Sequence, residues 1–350
     1  MLRKIGSKFK SMIKAYRRKK NWYLKNNQIE LSPEKSKLFR EKGFSSISEV
    51  AYDLDKYSID DYLNDRDYGR LHPINGASSK LIDSKAFIPI VLGSCPEAIP
   101  ELTIWVSKGV VKYCHGVHVK STSLETVLES CLEVYPDLCV KPISDGGGRG
   151  VFFIKKGDYT RFLPILQKSE FYINNKLANE SYSELIFPGS LNTIRVVFYR
   201  NLSNENVIIS MAHRFGTKES NGVDNNGQGG IACSMDIETG MIGKGYIVKS
   251  KTRVGWHTHH VDTNHPLEGF MVPDWPGKLK QIRQLVDNLY FLDIAGIDFA
   301  ATATGLKVLE INSLPQPQLT QVSGPLLLDR EFREFIARKG YPLPAKFSQK

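Results

Sequence analysis

No run of about 18 apolar residues occurs in the 350 residues, which argues against a helix that spans a membrane. The start of the chain lacks the continuous apolar segment of a secretory signal. Cysteine is scarce: Cys95, Cys114, Cys131, Cys139 and Cys233 are odd in number and contain no C-x-x-C pair. That pattern points to reduced, mostly buried thiols in a cytoplasm rather than a disulfide framework. Internal repeats and low-complexity linkers are missing too, so the chain reads as one large domain or two to three packed subdomains. With 41% hydrophobic and 24% charged residues, the composition is that of an ordinary globular protein.

Acidic residues are absent from positions 1–29, where ten Lys and Arg occur. Outside that segment, 37 basic residues balance 37 Asp and Glu, so the whole formal charge of +10 sits on one N-terminal arm. Leu2, Ile5, Phe9, Met12, Ile13 and Tyr16 recur at spacings of three and four, which predicts a basic amphipathic helix within residues 1–25. Such a helix suits an anionic membrane surface, a membrane-bound partner, or the protein's own body. Nucleic acid is not an expected partner, because no basic patch with interleaved aromatics exists beyond the arm.

Residues 26–80 read as short helices joined by loops. Lys85 opens the apolar run K-A-F-I-P-I-V-L, followed by T-I-W-V and a helix within 121–133. Strands are predicted over 138–143, 151–155, 194–199, 207–212, 231–236, 295–300 and 307–311. Helices are predicted within 274–291 and 325–339. Strands and helices are interspersed, an α+β pattern.

Between the strands 138–143 and 151–155 lies Ser144-Asp145-Gly146-Gly147-Gly148-Arg149-Gly150. Glycines there permit positive φ and let several N–H groups point at phosphate oxygens. No Gly-Lys-Ser/Thr follows and no helix is entered, so neither a Walker A loop nor a dinucleotide fingerprint is present. By itself a hairpin tip would look the same. Lys141, however, sits on the strand entering the loop, and an ammonium in such a strand needs an anion. Lys85, in an earlier apolar run, is a second cation of this kind.

Asp298 and Glu310 interrupt two apolar strands, and alternation puts Glu310 and Asn312 on one face. Carboxylate and amide oxygens converging in this way form a hard-oxygen set suited to Mg2+. His257, His259, His260 and His265 have spacing conceivable for zinc, but no Cys or carboxylate completes a tight set.

The order Lys85, Lys141-Pro142 with the glycine loop, an Arg-bearing strand, Asp298 and Glu310-x-Asn312 resembles the ATP-grasp superfamily. Ser190-Leu191-Asn192-Thr193-Ile194-Arg195, Val223-Asp224-Asn225, Gly229-Gly230 and Asp236-x-x-Thr239-Gly240 look like its sugar-transfer-associated group. The resemblance implies an ATP-grasp fold, in which two α+β lobes clasp ATP behind a helical N-terminal extension. The implied division is a first lobe over 81–170 with the glycine flap, a second over 171–325 with the metal site, and a C-terminal helix and tail over 326–350.

It also implies ATP contacts from Lys85, Lys141, Asp145, Gly146, Gly147, Gly148, Gly150, Tyr172 and Asn174. Mg2+ would be held by Asp298, Glu310 and Asn312, with Arg195 and Lys141 catalytic. His213, Arg214, Lys218 and Asn225 would line the acceptor pocket. Asn174 and Asn175 stand where an acid for the ribose is expected. The implied activity is ATP-dependent joining of a carboxylate to an amine on a sugar or amino-acid unit of a surface polysaccharide, at the inner face of a membrane. A hydroxyl kinase and a non-catalytic adaptor of a membrane glycosyltransferase are the alternatives.

Overall fold

The computed structural model describes residues 29–118, 123–143, 148 and 150–348. The helix expected within residues 1–25 and the flap positions Asp145, Gly146 and Gly147 lie outside the described residues.

Two antiparallel sheets carry the fold. The first contains β1 (Thr103–Ser107), β2 (Val110–His115), β3 (Asp137–Pro142), β4 (Phe152–Lys155) and β5 (Glu170–Asn175), in the order β2-β1-β5-β3-β4. Strand β5 lies at its centre, hydrogen-bonded to β1 and β3. This strand, which follows the lobe boundary expected at residue 170, is thus hydrogen-bonded into the first sheet. One face of this sheet is apolar. Ile104, Val106, Leu138, Val140, Phe171 and Ile173 pack under helix α1 (Leu124–Val134). Leu124, Val127, Leu128, Cys131 and Leu132 form the buried stripe of α1, at the spacing of one helical face. Strand alternation sends Cys139, Lys141, Tyr172 and Asn174 to the other side.

The second sheet contains β6 (Thr193–Arg200), β7 (Asn206–Phe215), β8 (Ile231–Met235), β9 (Ile242–Ile247), β10 (Gly255–His257), β11 (Ile294–Thr302) and β12 (Gly305–Asn312). Its order is β10-β9-β8-β7-β6-β11-β12. Helix α2 (Trp275–Asn288) covers one face, with Ile282, Leu285 and Val286 set against Ile194, Val196, Ile297 and Phe299 in the largest apolar cluster. The opposite face is covered in two places. The short N-terminal helices bring Phe39, Phe44, Tyr52 and Tyr62 onto Ala212, Ala232 and Tyr246. Helix α3 (Arg330–Arg338), capped by Asp329, brings Phe332, Phe335 and Ile336 onto Val197, Tyr199 and Ile294. Between these two covers the sheet face carries charge and borders a cavity.

The run from Lys85 to Val91 is helical. A 3-10 turn, Lys85–Phe87, leads into a short helix, Ile88–Val91, that has Pro89 in its first turn. Proline there has the right φ and lacks only an N–H that the first turn leaves unpaired. Lys307 of β12 reaches the segment that leads into β1: its Nζ lies 3.0 Å from Glu101 Oε1 and donates to the Glu97 carbonyl.

Candidate active site

A cavity of about 870 Å³ lies between the exposed faces of the two sheets. Lys141 and Asn174 enter its wall from the first sheet, and Lys85 from the 3-10 turn. The second sheet supplies Thr193, Arg195, Arg214, Asp298, Glu310 and Asn312. Strand geometry explains this convergence. Arg195 of β6 stands directly opposite Asp298 of β11, which in turn pairs with Glu310 of β12. One residue of β12, Leu309, is bulged, because Asp298 pairs with Glu310 while Phe299 pairs with Val308. Without the bulge, Glu310 would share the core face of Val308. With it, Glu310 and Asn312 turn into the cavity beside Asp298.

Asp298 is buried, and both of its oxygens accept from guanidinium groups. Arg195 Nε donates to Oδ1 and Arg195 Nη2 to Oδ2 at 2.8 Å, while Arg214 Nη2 approaches Oδ2 at 3.1 Å. Burial would push this carboxyl up, but Arg195 and Arg214 outweigh it and hold Asp298 below the ordinary carboxylate value. Arg214 also donates to Thr193 Oγ1 and lies 3.5 Å from Asp224. Thr193 in turn donates its hydroxyl hydrogen to Asp224 Oδ2. For Asp224, burial dominates over Arg214 and Thr193, and the carboxyl is raised.

Lys85 Nζ lies 3.6 Å from Glu310 Oε2. Lys141 forms no salt bridge among the described residues. Burial, together with the like charge of Lys85, lowers its pKa against the opposing pull of Cys139 and Glu310. Such a cation gains most from an anion placed in the cavity. Asn312 Nδ2 and Asn174 Oδ1 are buried without partners, while Asn174 Nδ2 donates to the Asn175 carbonyl. Asn175 is spent on structure, accepting from Leu102 N and donating to Glu101. At the cavity edge Gly148 has φ of +77°, and a Cβ there would stand 2.7 Å from Val223 Cγ1. Gly148 thus lies against Val223, the residue before Asp224.

The model of the sugar-transfer associated ATP-grasp family matches residues 75–334. The chain belongs to this family. No curated protein matches the sequence. Solved structures that resemble it include purK, an N5-carboxyaminoimidazole ribonucleotide synthetase, in its ADP complex. That likeness has 11% identity and a TM-score of 0.41, over 75% of this chain and 58% of that one. Another is the ATP-grasp ligase PsnB with a phosphomimetic variant of its minimal precursor, Mg and ADP. It has 12% identity and a TM-score of 0.42, over 76% of this chain and 61% of that one. A third is the D-alanine–D-alanine ligase of Bacillus anthracis, at 13% identity and a TM-score of 0.44, over 93% and 94% of the two chains. The chain therefore spans less than two thirds of the first two.

Within this ATP-grasp fold, Lys85, Lys141, Gly148, Asn174, Arg195, Arg214, Asn225, Asp298, Glu310 and Asn312 share one cavity wall. Four other expected residues stand elsewhere. His213 points to the opposite face of β7, fully buried, with its Nε2 hydrogen-bonded to the Tyr182 hydroxyl at 2.9 Å and its ring stacked on Phe215. Burial pushes its pKa down to about 3, so it stays neutral and serves the core rather than an acceptor pocket. Lys218 is exposed outside the cavity, its backbone N–H donating to Asp262. Tyr172 is buried with Ala86 and Ile143, and Gly150 packs near Pro142. The histidines also separate: His260 bonds to the Gly216 carbonyl and His257 to that of Arg253. Among the described residues, no three His, Cys, Asp or Glu side chains converge on a metal position.

Replacing His213 with Ala should destabilise the fold by about 3 kcal/mol, the usual range for emptying a large buried position. Nucleotide affinity should not change. Thermal unfolding and ADP calorimetry on the same samples read both effects; a stable variant with weakened ADP binding would return His213 to the site.

The wall also holds residues that sequence reasoning quoted in motifs but gave no role in the site, chiefly Thr193 and Asp224 as a bonded pair. The available signal was that Asp224 is the sole acid within the Asn- and Gly-rich segment 221–230.

Proposed function

We propose that this chain is an ATP-dependent carboxylate–amine ligase that acts on a sugar or amino-acid unit destined for a cell-surface polysaccharide. The observation that carries the reading is the single cavity into which Lys85, Lys141, Arg195, Arg214, Glu310 and Asn312 all project. Phosphoryl transfer needs positioning and charge neutralisation more than covalent help, and this wall offers both. The polysaccharide context rests on the family description alone.

The donor set suits Mg2+. Glu310 and Asn312 bring a carboxylate and an amide oxygen, both hard donors, to the same cavity wall. Bound there, Mg2+ would supply charge neutralisation at the phosphates of ATP. Asp298 already neutralises Arg195 and Arg214, and would join the set through the lone pair that Arg195 leaves free on Oδ1. Lys85 and Lys141 would bind phosphate oxygens, and Arg195 and Arg214 would face the charge that develops on the transferred group. Glu184 on the helix Ser181–Ile186 also lines the cavity and would supply the carboxylate that Asn174 and Asn175 do not.

The test is label tracking with Mg-ATP and oxygen-18-labelled uronates, in the presence of an amine. Label recovered in inorganic phosphate supports the ligase. A stable phosphorylated sugar would instead make the enzyme a kinase, and no nucleotide turnover would leave an adaptor.

The ten cations of the N-terminal arm suit an anionic surface, each contributing about 1 kcal/mol near it. Deleting residues 1–25 should reduce co-sedimentation with phosphatidylserine-containing vesicles at least about tenfold and leave turnover of soluble substrates unchanged. Equal sedimentation of the two forms would remove the membrane assignment.

A further inference from the structure

The cavity wall has more cationic groups than anionic ones, and most of its carboxylates are engaged. Asp298 is held by two guanidinium groups and Glu310 faces Lys85. Asp224 differs. Its Oδ2 is anchored by the Thr193 hydroxyl with Arg214 behind it. Oδ1 has no hydrogen-bond partner among the described residues, and the side chain keeps 14% of its surface accessible, on the cavity wall. A carboxylate with one oxygen fixed and the other presented is a built acceptor for a cationic donor. Its position is also defined from across the cavity, because the preceding residue, Val223, is the one met by Gly148.

We propose that Asp224 binds the amine substrate as its ammonium ion and takes the proton that must leave before the nitrogen can attack. The inference rests on the ligase reading and names the substrate class for that part of the site, a primary amine that is protonated in solution. In the first step an ammonium N–H bond breaks, its electron pair stays on nitrogen, and the proton passes to Asp224 Oδ1. The freed lone pair then forms the C–N bond to the activated carboxyl carbon, the carbon–oxygen bond to phosphate breaks, and phosphate departs with that electron pair. The second proton on nitrogen is lost to solvent as the amide forms. Asp224 is placed for this, whereas Arg195, Arg214, Lys85 and Lys141 would repel an ammonium ion.

The full-length protein, saturated with Mg-ADP, is titrated with glucosamine and with L-alaninamide, each compared with its neutral N-acetyl counterpart. The native protein should bind at least one cationic amine about tenfold or more tightly than its neutral counterpart, as for a hydrogen bond to a charged group. Asp224→Asn keeps the shape and the Thr193 contact, and should abolish that preference while Mg-ADP affinity stays within about twofold. Asp224→Ser gives the same readout should the Asn variant fold poorly. No preference in the native protein, or an undiminished one in the variants, overturns the proposal. The oxygen-18 experiment reads the ligase assignment separately. In that assay hydroxylamine, largely uncharged at neutral pH, should still be consumed by Asp224→Asn.

Discussion

Glu310→Gln should lower Mg-ATP turnover by at least about 10²-fold and leave the fold intact. Loss of one group aimed at developing charge typically costs that much. Glutamine keeps the size and one oxygen of Glu310, but removes the unit charge that the β12 bulge turns into the cavity. The same substitution should erase the gain in ADP affinity that Mg2+ confers, a measurement that does not depend on knowing the acceptor. Stability should move little. The Glu310–Lys85 contact is 3.6 Å long and the Glu310 side chain keeps 23% of its surface, so screening limits it to at most about 1 kcal/mol. A melting shift of no more than about 2–4 °C is expected. Undiminished turnover, or an intact magnesium effect on ADP binding, would remove Glu310 from the metal set.

Much of this site was legible because local patterns persist in the structure. The Asp298 and Glu310 interruptions stood out against apolar strands, and the strands formed close to where alternation and β-branched residues placed them. Helix α2 lies inside the predicted span 274–291, beginning at Trp275 with Pro276 in its first turn. Long-range relations were not legible. The Leu309 bulge, which sets the facing of Glu310, depends on pairing with β11 and leaves no mark in the β12 sequence. His213 and Arg214 are adjacent and both polar, yet alternation divides them between a core and a cavity. Only the identity of the layers packed on each side of β7 decides which of the two reaches the cavity. Asp224 appeared in the sequence only as part of the Val223-Asp224-Asn225 motif, and its place on the cavity wall was hidden for a related reason. Its burial is made tolerable by Thr193 and Arg214, thirty-one and ten residues distant in sequence.

Asp298→Asn should destabilise the nucleotide-free protein by about 3–5 kcal/mol, the cost of leaving a buried charge without its partner. Arg214 would retain Asp224 at 3.5 Å, but Arg195 has both of its bonding nitrogens on Asp298 and would face a neutral amide. Asn also turns an N–H toward one guanidinium, which makes the substitution worse than simple discharge. Adding Arg195→Met should recover part of the loss, so that a double-mutant cycle shows a coupling of at least about 1 kcal/mol. The sign of the pH effect follows from the lowered Asp298 pKa. A carboxyl with a folded-state pKa below its unfolded value of about 3.9 contributes stability that is complete above that unfolded value. This contribution is lost as pH falls through the lower, folded-state pKa. The stability gap between native protein and Asp298→Asn should therefore be constant near neutrality and narrow below about pH 4. Denaturant unfolding of the metal-free protein at neutral and acid pH reads this directly. A variant as stable as the native protein would mean that Asp298 is not needed as the counter-ion of Arg195, and would leave metal ligation as its remaining role. With the expected loss, Asp298 holds two arginines in place before the nucleotide arrives, and Glu310 and Asn312 become the primary hard donors of the site.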